Sequence, residues 1–244
     1  TLNAKKMRNI RLTFQYDGTD YFGWQRQKNT HRTISEIIES VLKKILREKV
    51  KLIAAGRTDA GVHAQAQVAN FTTGSTLDTS RLSHSLNALL PEDIRVLKAK
   101  DAPLDFNSRY SAKAKTYRYT ILNRHSSDVF LRRYVYHFPL SVLDVFAMRK
   151  ASAILIGSHD FSSFKRTDKK KKITVRELKS IRVMRRGDFI YIGLEIGQDE
   201  LPCFSRRFQQ GGGGDHRLDD GCERFGFGVF DPEKHVRDPE ELDL

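Results

Sequence analysis

The sequence predicts an α+β protein made of two ferredoxin-like halves, whose strands form a mostly antiparallel sheet with helices on one face. Strand-like and helix-like patterns follow in the order β-α-β-β-α-β over residues 8–104, which is the split βαβ order of ferredoxin-like domains. The order begins again over residues 105–198, where β-α-β-β is recognisable. Residues 199–244 are glycine-rich, end in acidic residues and show no helical apolar period, so this segment is atypical and receives no predicted structure.

The first half begins with an alternating strand over Ile10–Tyr16. Thr33 and Glu36 then form a T-x-x-E pattern, which predicts a capping box at the start of a helix. The helix itself is predicted from apolar residues at helical spacing, namely Ile34, Ile37, Ile38, Val41, Leu42, Ile45 and Leu46.

Two short strands come next, over Lys51–Ala54 and Gln65–Phe71, and they flank a glycine-bounded loop, Gly56–His63. A second helix over Thr79–Leu90 and a closing strand over Ile94–Lys98 complete this half. The loop between the two short strands is therefore predicted to be held by a sheet on both sides.

The second half starts with the alternating segment Lys115–Leu122. A helix is expected to begin near Ser141 and to end at Gly157. Ile173–Met184 and Phe189–Ile196 are predicted to form a strand pair. A helix packed on this sheet is expected after residue 200, because the apolar faces of these strands need a cover.

Positive charge is the most informative bulk property. The chain has a formal net charge of +13 and a pI near 9.8. Residues 1–200 carry 37 basic and 20 acidic side chains, whereas residues 201–244 carry 6 basic and 10 acidic ones. An excess of basic residues this large predicts a polyanionic partner, most commonly a phosphate backbone, although a generically basic surface is the alternative.

The run Lys169–Lys172 could bind phosphates or be a solvated loop.

Several function classes are disfavoured. No run of about 18 apolar residues predicts a membrane span. The eight histidines are scattered, so no zinc site is predicted, and no G-x-x-x-x-G-K-[ST] motif predicts nucleoside triphosphate binding. Cys203 and Cys222 form no disulfide framework, which fits a cytoplasmic protein. We expect no membrane partner, no metal and no small-molecule cofactor.

Asp59 is the leading candidate for chemistry. It lies in Ala55-Gly56-Arg57-Thr58-Asp59-Ala60-Gly61-Val62-His63-Ala64, where two glycines bracket a loop between strands and permit close approach to a ligand. Arg57 could keep the Asp59 carboxylate ionised or contact a phosphate. The alternative is a turn aspartate that bonds its own backbone, beside a surface arginine. His63 is more plausible as a structural residue than as a catalytic one.

Residues 56–64 resemble the defining motif of the tRNA pseudouridine synthase A family. Residues 16–25, 87–94, 106–119 and 157–164 resemble four further blocks of that family, in the same order along the chain. The resemblance implies a pseudouridine synthase fold, isomerisation of uridine to pseudouridine in the anticodon stem-loop of tRNA at positions 38–40, a homodimer and no cofactor.

The resemblance also implies residue roles. Asp59 matches the catalytic nucleophile, Tyr117 matches a tyrosine that packs against the target uracil, and Arg57 matches a basic residue that helps the target base leave the stack. On residue pattern alone, Tyr117 could equally be a core aromatic residue of a strand. We expect Asp59 and Tyr117 to meet in a basic cleft between the halves. Asp59 could attack either uracil C6 or ribose C1′.

The chain departs from the family after Gly197. The family has an arginine there that pairs with the catalytic aspartate, within an apolar segment, and the neighbours of Arg206 and Arg207 do not match that segment. A divergent tail and a shifted reading frame both explain the loss. Two other functions therefore remain open: a non-catalytic RNA-binding protein of the same fold, and a basic scaffold protein.

Overall fold

A computed structural model describes residues 6–164 and 174–197. It is an α+β structure, as predicted, and the chain divides after Lys113 into two compact units. The first unit is described over residues 6–113, and the second over residues 114–164 and 174–197. The predicted helix after residue 200, the run Lys169–Lys172 and the expected start of a strand at Ile173 lie outside the described residues.

The first unit follows the predicted order of elements. They are β1 (Arg8–Tyr16), α1 (Ile34–Leu46), β2 (Ile53–Ala54), β3 (Ala64–Thr73), α2 (Thr79–Leu89), β4 (Ile94–Ala102) and a short α3 (Ser108–Ser111) that the sequence did not predict. The sheet order is β2-β3-β1-β4, with every neighbouring pair antiparallel.

The alternation of β1 builds the core of this unit. Leu12 and Phe14 are fully buried on one strand face, where they pack with Ile38 of α1 and Leu86 of α2. Both long helices thus cover the same face of the four-stranded sheet. Burying side chains of this size typically contributes about 1.5–3 kcal/mol each, so the packing on this face stabilises the first unit.

The predicted capping box of α1 is wrong. Thr33 is the N-cap residue, but its hydroxyl makes no capping hydrogen bond, and the Glu36 carboxylate contacts His31 and Arg26 instead. The first two backbone amides of the helix, those of Ile34 and Ser35, have no partner within the helix and donate to the carbonyls of Gly23 and Trp24 at 3.1 Å each. Because the loop after β1 already satisfies these donors, the side-chain cap is not needed.

Strand β2 is shorter than predicted. The amide of Leu52 donates to the Glu39 carboxylate of α1 at 2.9 Å, so pairing with β3 begins only at Ile53. Burial raises the pKa of Glu39, while the hydrogen bond from the Leu52 amide lowers it. The contact holds the residue before β2 against α1.

The first unit extends past the predicted boundary at residue 104. Asn9 and Asn70 lie on the sheet face opposite the helices, and both donate to the carbonyl of Phe106. The Ser108 amide donates to the Asn70 side chain at 2.8 Å. These buried amide contacts hold residues 103–111 against the first sheet, which is why the division comes after Lys113.

The second unit contains a five-stranded sheet in the order β6-β5-β9-β8-β7. All neighbours are antiparallel except β5 and β6, which are parallel. Its elements are β5 (Lys115–Leu122), β6 (Tyr136–His137), α4 (Val145–Ala153), β7 (Gly157–Asp160), a 3-10 turn (Ser162–Phe164), β8 (Val175–Arg186) and β9 (Phe189–Ile196). Strands β6 and β7 were not predicted.

The helix expected from Ser141 begins later. Its N-cap is Asp144, whose carboxylate accepts from the amides of Phe146 and Ala147 at 2.8 and 3.1 Å. Asp144 has an extended backbone, so the helix begins after it, and the Leu143 amide before it donates to the side chain of Asn123. None of the residues of α4 is buried.

The described hydrogen bonds form two separate sheets, so they do not confirm a single continuous sheet. No helix among the described residues is long and apolar enough to cross a membrane.

Candidate active-site loop

The loop that carries Asp59 connects β2 to β3, where the sequence predicted it. Its first residue is pinned by the Ala55 amide, which donates to the carbonyl of Val68 at 2.9 Å. A turn at its tip is closed by the Val62 amide, which donates to the carbonyl of Asp59 at 3.2 Å. Gly61 has a φ of +74° in this turn, whereas Gly56 is not in the positive-φ region.

A second loop, residues 17–24 after β1, holds the Asp59 loop from the side. The Trp24 amide donates to the carbonyl of Thr58 at 2.9 Å, and the Gly61 amide donates to the carbonyl of Tyr21 at 3.2 Å. Both bonds join backbone to backbone on either side of Asp59. The position of the carboxylate is therefore set by main-chain contacts that do not depend on its own side chain.

Two glycines of the 17–24 loop allow this contact. A Cβ added at Gly18 would overlap the carbonyl of Val62, and one at Gly23 would lie 2.7 Å from the carbonyl oxygen of Thr58. Gly23 also has a φ of +82°, which disfavours other residues. The two loops can approach this closely only because both positions lack a side chain.

Tyr16 supports the Asp59 loop from inside the core. Its hydroxyl lies 2.9 Å from that of Thr58, which directly precedes Asp59. Burial raises the pKa of Tyr16 to about 12, while the hydrogen bonds to Thr58 and Gln67 lower it. Gln67 donates to the carbonyl of Gly56 at 2.9 Å, so core side chains hold the Asp59 loop at both Gly56 and Thr58.

His63 joins the two loops. Its Nδ1 lies 3.1 Å from the amide of Gly18 and 3.0 Å from the carboxylate of Asp17. One tautomer accepts from Gly18, and a protonated Nδ1 donates to Asp17. This position supports the structural role expected for His63.

Asp59 and Arg57 are both exposed on the loop. Within the described ranges, the Asp59 carboxylate has no hydrogen-bond or ion-pair partner, and it forms no ion pair with Arg57. The carboxylate is therefore available to a ligand, and Arg57 is available to a phosphate.

Tyr117 lies elsewhere in the chain, on β5 of the second unit. It stands opposite Leu194 of β9 and packs against the small apolar cluster of that sheet, with its side chain partly exposed. The structure thus groups Asp59 and Arg57 in one loop, while the meeting of Asp59 with Tyr117 stays a prediction.

No group of three or more potential metal ligands occurs in the part of the chain that the structure describes. Sequence reasoning missed the roles of Gly18, Gly23, Tyr16 and Gln67 in holding the loop. The glycines within the block over residues 16–25 were the available signal, because a glycine outside a simple turn often marks close backbone approach.

Together these features define a strongly basic protein that presents an exposed carboxylate on a rigidly held loop, with an exposed arginine two residues away and no partner for either among the described residues. Comparison with known proteins identifies the family to which this protein belongs. The family model described as tRNA pseudouridine synthase matches residues 12–111 and 151–206. The chain belongs to the tRNA pseudouridine synthase family, and the match includes the whole Asp59 loop.

Individual relatives agree. The tRNA pseudouridine synthase A of Caldicellulosiruptor bescii is 50% identical over 172 residues, which cover 70% of each chain. That of Thermoanaerobacter sp. is 44% identical over 191 residues, covering 78% of this chain and 77% of the relative. The tRNA pseudouridine synthase A 2 of Clostridium tetani is 44% identical over 186 residues, covering 76% of this chain and 75% of the relative.

Proposed function

We propose that this protein is an isomerase that converts uridine to pseudouridine in tRNA, with Asp59 as the nucleophile. The observation that supports this role most strongly is the exposed carboxylate of Asp59, which has no partner among the described residues and lies on a loop clamped by backbone bonds at Thr58 and Gly61. Membership of the tRNA pseudouridine synthase family supplies the reaction.

This chemistry fits a single carboxylate nucleophile together with a separate base that takes the proton from C5. The bond between ribose C1′ and uracil N1 breaks, and a bond between C1′ and C5 forms, with loss of the proton on C5 and gain of one on N1. Nothing is oxidised, reduced or hydrolysed, so no cofactor is required. The carboxylate serves as a covalent nucleophile, as carboxylates do in other glycosyl transfers.

The loop geometry suits a nucleophile. A group that attacks a bound nucleotide must be positioned within a fraction of an ångström, and backbone contacts provide this without consuming the carboxylate's lone pairs. Asp59 is solvent-exposed, and no hydrogen bond from its carboxylate to another described residue would have to break when substrate binds.

Arg57 and Tyr117 act on the substrate in this proposal. Taking a base out of the stack costs a few kcal/mol, and the exposed guanidinium of Arg57 offsets part of that cost by contacting the backbone or filling the gap. Tyr117 packs its ring against the target uracil, which holds the base while its glycosidic bond is broken.

The finer features of the family complete the proposal. They are a substrate site in the anticodon stem-loop, a homodimer in the cytoplasm and two ferredoxin-like halves. The antiparallel β2-β3-β1-β4 order of the first unit supports the ferredoxin-like topology for that half.

Release of tritium from tRNA labelled at uracil C5 tests the activity. Purified protein should release tritium to water without added nucleotide and in the presence of a chelator, with one tritium lost per pseudouridine formed. A protein that binds tRNA but releases no tritium at stoichiometric concentration would be a non-catalytic RNA-binding protein, and one that neither binds nor reacts would be a basic scaffold.

A further inference from the structure

The second sheet has two different faces, defined by the register of its three longest strands. Arg118 of β5 stands opposite Gly193 of β9, which in turn stands opposite Arg182 of β8. Residues directly opposite one another in antiparallel strands share a face. The next row on this face is Thr120, Tyr191 and Met184. We call the face that carries these two rows the arginine face.

The other face is the apolar one. Its rows include Tyr117, Leu194 and Ile181, which belong to the buried cluster of the second unit. The arginine face is consequently the side of the sheet that is not used for this cluster. Arg118 and Arg182 are both exposed, and neither has a hydrogen-bond or ion-pair partner in the described ranges.

Gly193 leaves an opening at the centre of the arginine face. A Cβ added at this position would meet no atom within 4 Å. Its two neighbours in the row are the arginines, whose Cα atoms are separated by two strand spacings, roughly 10 Å. A ligand can therefore reach the backbone of β9 between two exposed guanidinium groups.

The arginine face also carries two aromatic side chains of β9. Phe189 and Tyr191 are stacked, with ring centroids 6.2 Å apart and planes inclined by 25°. Both side chains are partly exposed. Arg186, also exposed and without a described partner, stands opposite Phe189 on β8. Aromatic rings on a sheet flanked by arginines are the arrangement that unpaired nucleotides stack on.

Charge is distributed unevenly along these strands. The carboxylates of β8 and β9 lie at the other end, where Glu195 stands opposite Ser180 and Glu177 precedes the bulge of β8. Arg186 lies at the end that carries Phe189, and the row of Arg118 and Arg182 lies between the rows of Tyr191 and Glu195. Strands β5, β8 and β9 together carry seven basic and two acidic side chains, which attracts an anionic strand to this sheet.

We infer that the arginine face binds unpaired nucleotides of the RNA substrate, with Arg118 and Arg182 on phosphates and Tyr191 under a base. This inference rests on the proposed function only in taking the substrate to be RNA. Because Tyr117 points to the opposite face, the arginine face contributes to binding and not to the chemical step. Its loss raises KM and leaves kcat unchanged.

The test uses the full chain with Arg118→Gln and Arg182→Gln combined. The matched control combines Lys44→Gln and Arg81→Gln, which removes the same charge from exposed helix positions of the first unit. We expect the Kd for tRNA to rise about tenfold in the first double variant and less than about twofold in the control. The slope of log K against log salt should become shallower by about 1.4, since each single-strand phosphate contact contributes about 0.7.

Gly193→Val tests the opening without changing charge. The position has room for a side chain, so the fold should be retained and the thermal unfolding temperature should not fall. Binding of a single-stranded oligoribonucleotide should weaken about tenfold because the new side chain blocks access between the arginines. A duplex of the same length should be affected less, since its bases cannot reach Tyr191.

The inference is overturned if the arginine pair behaves like the control pair in both Kd and salt slope. It is also overturned if Gly193→Val binds single-stranded RNA as the unchanged protein does. Failure of the proposed function is a separate result: the unchanged protein would then bind tRNA without releasing tritium, and the arginine variants would still weaken binding.

Discussion

The two units use their sheets differently. In the first unit, 19 buried apolar residues from the sheet, both long helices and the loop after β1 form one cluster. In the second unit, the described cluster has four buried residues, and α4, the longest helix among its described residues, has none. The dense unit holds the Asp59 loop in place, while the sparse unit leaves a sheet face open to ligands. Positioning a nucleophile needs rigid packing, and binding a large polyanion needs exposed charge.

The largest expected effect comes from breaking the contact between the loops of the first unit. Gly18→Ala would place a Cβ against the backbone of Val62, which cannot move without disrupting the Asp59 loop. We expect the free energy of unfolding to fall by about 4 kcal/mol and tritium release to be lost. The fluorescence of Trp24, the only tryptophan, reports unfolding of this unit in urea.

Gly193→Ala is the matched control in the second unit. Nothing lies within 4 Å of an added Cβ there, so stability should change little. Equal destabilisation by the two substitutions would show that the close contact between the loops does not matter.

Truncations of single side chains should show a further difference in stability between the two units. Leu86→Ala removes a fully buried side chain from the first cluster and should cost about 3 kcal/mol. Phe146→Ala removes a larger side chain from α4, but that side chain is 76% exposed, so the cost should stay within about 0.5 kcal/mol. Urea unfolding followed by circular dichroism measures both. A larger loss for Phe146→Ala would reverse the comparison.

The helices and strands of the first unit were largely predictable because their patterns are local. The alternation of β1 and the helical spacing of α1 both appear in the structure at the predicted positions. The capping box was wrong because a distant loop supplies the carbonyls for Ile34 and Ser35, and no local pattern shows this. Strands β6 and β7, of two and four residues, are set by pairing with distant partners, so they carry little local signal.

The candidate site was predictable in part. The position of Asp59 in a loop between strands followed from the flanking patterns and glycines. The contact between residues 17–24 and the Asp59 loop was not predicted. It consists of backbone-to-backbone hydrogen bonds such as that from Trp24 to Thr58, and the only sequence signal for such bonds is the presence of glycines. The open row at Gly193 depends on strand register, which a single sequence leaves undefined.

A smaller effect should appear in the pH dependence of stability in the first unit. The pKa of Tyr16 is raised from 10 to about 12 in the folded protein, so its stabilising contribution is fully present below about pH 10 and is lost as the pH rises toward 12. By about pH 11.5 the unchanged protein should lose about 2 kcal/mol more than Tyr16→Phe does. Urea unfolding of both proteins at about pH 8 and pH 11.5, followed by Trp24, measures the difference. Parallel losses would contradict the burial of this phenol.

The central claim is that the Asp59 carboxylate performs the isomerisation, and Asp59→Asn tests it most directly. The substitution keeps the size of the side chain and removes its nucleophilic charge. Asp105→Asn, at another exposed position of the first unit without a described partner, is the matched control. Single-turnover tritium release from labelled tRNA should fall about a thousandfold or more in Asp59→Asn, an effect of about 4 kcal/mol on the barrier, and should be unchanged in Asp105→Asn, with tRNA binding retained in both. Release by Asp59→Asn above about a tenth of the rate of the unchanged protein would contradict the assignment.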